Sequence, residues 1–200
     1  MPNPGDSGSA LGCIPAFTQQ HLNWQGPFLG QDIAGEYPVD KIIKELEFSL
    51  TNDQKKTLEE INNDLSSTNK MFRLLQGDVG SGKTIVSLLA AYNTVNSGFQ
   101  VAVMAPTEIL ARQHFNLANN LFSKKINIEL ISGKSEYKSK KEILDKLANN
   151  KIDIIFGTHA IFQKKVEFKK LGLIIIDEQH KFGVNQRKML SDKGGKNCDI

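Results

Sequence analysis

The stretch Gly77-Asp78-Val79-Gly80-Ser81-Gly82-Lys83-Thr84 constrains this chain more than any other, because few backbones can host it. It satisfies the pattern G-x-x-x-x-G-K-[ST] in full. The glycines let the backbone wrap closely around a triphosphate so that successive N–H groups point inward. A helix starting near Lys83 turns its N-terminal dipole toward the anion. Lys83 is then expected to reach the β- and γ-phosphates and the Thr84 hydroxyl to ligate Mg²⁺. The flanks agree: the apolar run Phe72–Gln76 precedes the loop and an amphipathic helical stretch follows it. A chance glycine-rich turn would lack that setting. The sequence therefore predicts a nucleotide site, with Gly77, Asp78, Val79, Gly80, Ser81, Gly82, Lys83 and Thr84 lining it and ATP and Mg²⁺ as cofactors.

Such a loop needs an acidic partner at the end of a later strand. Leu173-Ile174-Ile175-Ile176-Asp177-Glu178 supplies one. Asp177 is expected to hold Mg²⁺ through water, and Glu178 to polarise the attacking water as general base. Lys83, Asp177 and Glu178 are thus the catalytic candidates, with Thr84 and Asp177 as the metal pair. Gln54, just before the first regular helix, has an amide that can read the adenine edge with one donor and one acceptor. Thr51 and Gln54 also form a capping box, and the two roles are compatible.

From Phe48 onward, short β-branched runs alternate with amphipathic helical stretches, the rhythm of a parallel sheet with helices on both faces. Strands are predicted at Phe72–Gln76, Val101–Ala105, Ile128–Ser132, Ile152–Gly157 and Leu173–Asp177. Their near-continuous apolar character suits strands buried on both faces. Helices are predicted at about Thr51–Asp64, Lys83–Asn96, Glu108–Phe122, Lys138–Ala148 and Gln186–Ser191. Residues 1–46 differ. They hold every proline except Pro106 and the single Trp24, and Asn3–Gly12 and Gly26–Tyr37 are dense in turn formers. The expected organisation is an irregular Gly/Pro-rich segment over 1–46 and a nucleotide-binding domain over 47–200.

The balance of charge, +3 over 200 residues, neither requires nor opposes a polyanion partner. Cys13 and Cys198 stand far apart with no C-x-x-C spacing, so a reduced setting is expected and a zinc site is not. Met1–Gly12 lacks a basic start and an apolar run. No stretch approaches the ~20 apolar residues that span a bilayer, so the expected location is the cytoplasm.

Several stretches carry a specific resemblance. They are Leu74 to Thr84, Met104-Ala105-Pro106-Thr107-Glu108-Ile109-Leu110-Ala111-Arg112-Gln113-His114, Gly157-Thr158-His159-Ala160, and Asp177-Glu178-Gln179-His180-Lys181-Phe182-Gly183-Val184 with Gln186-Arg187 after it. In order and spacing they resemble the first motor domain of superfamily 2 helicases, and most closely the RecG-type DNA helicases. The likeness runs from about Phe48 to the end. It implies a RecA-like α/β fold and ATP hydrolysis coupled to DNA translocation, in branched-DNA remodelling for recombination and repair. Transcription-repair coupling translocases share much of the pattern but differ at the box, where a second acidic residue would replace Gln179-His180.

The resemblance assigns further residues. Pro106, Thr107 and Glu108 stand where a strand gives way to a helix, and Gly157, Thr158 and His159 where another strand ends; Ser132-Gly133 is a third such point. Thr107 and Thr158 suit plain N-caps, while the resemblance implies contacts to DNA phosphates. Gln179 and His180 are implied to sense the γ-phosphate. Relative to a complete helicase of this type, a DNA-splitting wedge domain and a second motor domain with its arginine finger are missing. The isolated chain is accordingly expected to bind ATP weakly, hydrolyse it very slowly and unwind nothing. A non-motor nucleotide-binding module is the competing expectation. The front segment resembles a fragment of the NodU-type carbamoyltransferases, which implies a join of unrelated pieces near Lys44–Phe48 and a front segment too short to pack well.

Overall fold

The computed structural model describes residues 10–11, 38–46, 48–67, 70–122, 125–132, 137–163, 165–181 and 198–199. Its centre is a five-stranded sheet in the order β1-β5-β2-β4-β3. The strands are β1 (Ala10–Leu11), β2 (Gln100–Met104), β3 (Ile128–Ile131), β4 (Ile154–Gly157) and β5 (Leu171–Ile176). Strands β2 to β5 run parallel; β1 is a two-residue antiparallel addition to β5. Around them lie α1 (Pro38–Glu45), α2 (Asn52–Ser66), α3 (Lys83–Asn96), α4 (Glu108–Phe122) and α5 (Tyr137–Ala148).

Alternation along the strands splits the apolar residues between two cores, since successive side chains point to opposite faces. Val101, Val103, Ile154, Phe156, Leu173 and Ile175 join residues of α1, α2, α3 and α4 on one face. Ala102, Met104, Ile155, Ile174 and Ile176 join Ile143 and Leu147 of α5 on the other. Both faces are covered, which is why the strands read as apolar without alternation. Helix α3 is buried from Val86 through Thr94 because the sheet lies on one side and α1 and α2 on the other. Two of its buried polar groups donate, Asn93 Nδ2 to Asn62 Oδ1 of α2 at 2.9 Å and Thr94 Oγ1 to the Ala90 carbonyl at 3.0 Å, while Asn93 Oδ1 accepts nothing among the described residues. Tyr92 of α3 stacks on Phe122 of α4, with ring centroids 5.1 Å apart.

Gln100 opens β2 and is buried. Its Nε2 donates to the carbonyls of Leu147 and Ile152, each at 2.9 Å, and its Oε1 accepts the amides of Lys169 and Lys170 at 2.8 and 3.1 Å. One amide side chain thus fastens the end of α5, the approach to β4 and the approach to β5.

Helices α3 and α4 have the predicted bounds, and the parallel α/β architecture is as expected. Besides the two-residue β1, which also falls in the stretch expected to be irregular, two elements differ. Phe72–Gln76 does not form a strand of the sheet; it holds a single bridge residue, Leu74, and leaves Phe72 and Leu74 more than half exposed. Just before it, the Met71 amide donates at 2.7 Å to Oδ1 of Asp199, whose backbone pairs with β5 at Leu173. Among the described residues no complete strand lies beside Phe72–Gln76, and a strand forms only with a ladder partner. The second difference is α1, which lies in the stretch expected to be irregular. Val39 and Ile42 place it in the core beside α3, so burial of one apolar stripe overrides the turn-rich composition around it. The predicted helix Gln186–Ser191 lies outside the described residues.

Candidate functional site

The predicted loop sites after β2, β4 and β5 sit at the carboxyl edge of the parallel strands, where open α/β sheets place their ligands, and strand register sets them side by side. Met104 of β2 lies opposite Gly157 of β4 and Ile176 of β5. The chain then leaves β2 into Pro106-Thr107-Glu108, β4 into Thr158-His159 and β5 into Asp177-Glu178. Two backbone bonds extend the ladder past the strand ends: Ala105 N to Gly157 O at 2.9 Å and Asp177 N to Met104 O at 2.8 Å.

The glycine-rich loop enters α3 through two left-handed residues, Gly80 (φ 82°) and Gly82 (φ 79°). Gly82 is the N-cap and no side chain caps the helix, so the first-turn amides have no side-chain acceptor. That is the condition under which a helix end accepts an anion. Lys83 Nζ donates to the Gly77 and Asp78 carbonyls, both at 2.6 Å, which folds the lysine over the loop. Gln54 braces the loop from α2. Its Oε1 accepts the Thr51 amide at 2.9 Å, Thr51 Oγ1 accepts the Gln54 amide at 3.2 Å, and Gln54 Nε2 donates to the Ser81 carbonyl at 2.8 Å. The capping box is therefore formed. A Cβ on Gly82 would land on the Gln54 amide nitrogen, a second reason for glycine there.

Thr84 and Asp177, the two expected metal ligands, line one small cavity together with Ser87, Leu88, Val103, His114 and Ile175. A hydroxyl and a carboxylate are hard oxygen donors of the kind Mg²⁺ takes, and the residues that carry them border the same space. His114 Nε2 lies 2.7 Å from Asp177 Oδ2, and both side chains are about 15 % exposed (14 % and 15 %). Glu178 adopts a left-handed backbone (φ 50°), a conformation that costs a non-glycine residue of order 1–3 kcal/mol and clusters at functional turns. Its carboxylate contacts the Lys181 ammonium. Gln179 and His180 follow on a single 3-10 turn, Gln179–Lys181.

On the remaining loops, Thr107 Oγ1 accepts the Leu110 amide at 3.3 Å and caps α4. Thr158 precedes the turn His159–Phe162 without a side-chain cap. Gly157 is buried, and a Cβ there would meet the Ile131 carbonyl at 2.7 Å. Its glycine thus has a packing cause, and His159 is the exposed residue of that loop. Gly133, Phe182, Gly183, Val184, Gln186 and Arg187 lie outside the described residues.

A family profile described as DEAD/DEAH box helicase matches residues 51–195. The chain belongs to the DEAD/DEAH box helicase family. The curated relatives it resembles include the ATP-dependent DNA helicase RecG of Bacillus subtilis (strain 168), 52% identical over 155 residues, covering 77% of this chain and 23% of that protein. RecG of Thermotoga maritima is 51% identical over 157 residues, covering 78% and 20%. The chain thus spans about a fifth to a quarter of the length of these relatives. A solved structure of RecG bound to a three-way DNA junction matches with a TM-score of 0.68 and 50% identity, over 72% of this chain and 20% of that one. The expected RecG-type likeness is thereby found, over about three-quarters of the chain. Among the described residues no helix is long and apolar enough to cross a membrane.

In this helicase domain two contacts were not anticipated from the sequence: His114 with Asp177 and Lys181 with Glu178. His114 had a visible signal. It falls on the buried stripe of α4, between Ala111 and Ala118, where a histidine needs a polar partner. The Lys181 contact had none, because it depends on the left-handed turn at Glu178.

Proposed function

We propose that the domain is the ATP-binding first motor domain of a RecG-type DNA helicase, which hydrolyses Mg²⁺-ATP and grips DNA by its backbone. The observation that carries this reading is the shared edge: the glycine loop, Thr84 and Asp177 form one end of it, and the Thr107 and Thr158 loops continue it. RecG relatives at about half identity support the same reading.

In this reading Lys83, the first-turn amides of α3 and the loop from Gly77 to Thr84 hold the triphosphate. Thr84 and Asp177 hold Mg²⁺, which when bound offsets phosphate charge. Glu178 accepts the proton of the attacking water, with its position set by the left-handed turn and Lys181. Gln54 has one lone pair and one hydrogen left after its loop and cap bonds, enough to read an adenine edge. Gln179 and His180 follow Glu178 closely enough to report on the γ-phosphate. Pro106, Thr107, Glu108, Thr158 and His159 form the DNA-facing strip, which touches phosphates and not bases, with the buried Gly157 setting the turn beneath it. The motor domain is assigned to residues 47–200, it works with a second motor domain, and its location is the cytoplasm.

The test is fluorescent ATP-analogue binding in wild type and Lys83→Ala, followed by titration with forked DNA at several salt concentrations. Loss of binding in Lys83→Ala together with salt-sensitive DNA binding is expected. ATP binding without DNA binding would instead favour a non-motor nucleotide module.

A further inference from the structure

Two polar side chains of the cavity between α3, α4 and β5 are not used by the proposed chemistry; Ser87 Oγ donates to the Lys83 carbonyl at 2.9 Å within α3, and His114 reaches across to Asp177. His114 projects from the second turn of α4, and its Nε2 is 2.7 Å from Asp177 Oδ2. An ionised carboxylate only accepts, so Nε2 carries the shared hydrogen. Leu88, Val103 and Ile175 line the same cavity and keep it poor in water, which strengthens the bond. Asp177 has few other restraints: its amide is tied to Met104, but the turn that follows contains the strained Glu178. One carboxylate oxygen is held by His114, and Oδ1 remains to act toward the ion.

We propose that His114 is the positioning residue for Asp177, holding the carboxylate toward the metal that Thr84 shares. It touches neither nucleotide nor ion; it acts through Asp177, as groups that orient metal-binding carboxylates do. The contact also joins α4, which Thr107 caps, to the metal side of the site. This inference rests on the reading of Thr84 and Asp177 as the metal pair.

The experiment is Mn²⁺ titration of the 200-residue chain in the presence of ADP, with free Mn²⁺ read by electron paramagnetic resonance, alongside ADP-analogue binding without metal. His114→Ala is expected to weaken Mn²⁺ binding by about 10–100-fold, the usual effect of losing such an orienting partner, and to leave metal-free ADP binding unchanged. His114→Gln, whose Nε2 can replace the imidazole Nε2–H, is expected to regain most of the affinity. Wild-type Mn²⁺ affinity in His114→Ala overturns the inference. So does equal loss in the Ala and Gln variants, or an equal loss of metal-free ADP binding. Asp177→Asn separates the two levels: if it leaves Mn²⁺ affinity unchanged, the metal-site reading itself falls.

Discussion

Replacing Gln100 with leucine is the sharpest test of how this sheet is held together, because the volumes are close and only the polar bonds are lost. Four hydrogen bonds disappear at once. The Leu147 carbonyl keeps the Asn150 amide, at 3.1 Å, and the Lys169 and Lys170 amides belong to exposed residues that water can reach. The Ile152 carbonyl loses its donor in a buried setting. A stranded buried group costs about 1–3 kcal/mol, and the exposed amides add a fraction of that each. The expected total is about 2–4 kcal/mol, out of the roughly 5–15 kcal/mol typical of a folded domain. For a domain of this size that lowers Tm by about 5–15 °C. Urea titration and thermal melting followed by circular dichroism measure it. Gln100→Glu sharpens the comparison, since it keeps the acceptor for Lys169 and Lys170 but sets an oxygen against the Leu147 and Ile152 carbonyls. A loss below about 1 kcal/mol in Gln100→Leu would refute the claim that this amide network anchors β2.

Two further outcomes follow from the site and its flank. Gly82→Ala puts a side chain at φ 79° and onto the Gln54 amide, so a stability loss of about 1–2 kcal/mol and weakened nucleotide binding are expected; a melt and a fluorescent-nucleotide titration check both. Asp199 is buried, and burial pushes its carboxyl from 3.8 up to about 7. The folded form therefore holds a proton that the unfolded chain releases, and the Asp199 contribution is full below about pH 4 and falls as pH rises toward 7. Asp199→Asn keeps an acceptor for the Met71 amide and is expected to flatten that part of the stability–pH curve; an unchanged slope would count against it.

Much of this domain could be read before any coordinates. Gly77 to Thr84 implies a tight loop and a helix because each glycine and the lysine have one physical use there. Helix α4 is legible from periodicity, since its apolar stripe repeats at helical spacing, and α3 from its place behind the glycine loop. Phe72–Gln76 was misread for the opposite reason: its apolar residues satisfy strand preference, but a strand exists only when a neighbour supplies its hydrogen bonds. Helix α1 was hidden because eight residues among turn formers show too little pattern, and only the groove beside α3 rewards them.

The sequence by itself determined the glycine-rich loop, the acidic pair Asp177-Glu178 and the doubly covered parallel sheet, because these depend on residues close together in the chain. Tertiary structure alone decided that Gln54 braces Ser81, that Gln100 ties three distant segments, and that His114 meets Asp177. Each of those bonds joins residues at least 27 positions apart. Their pairing depends on strand order and helix placement, which local pattern does not encode.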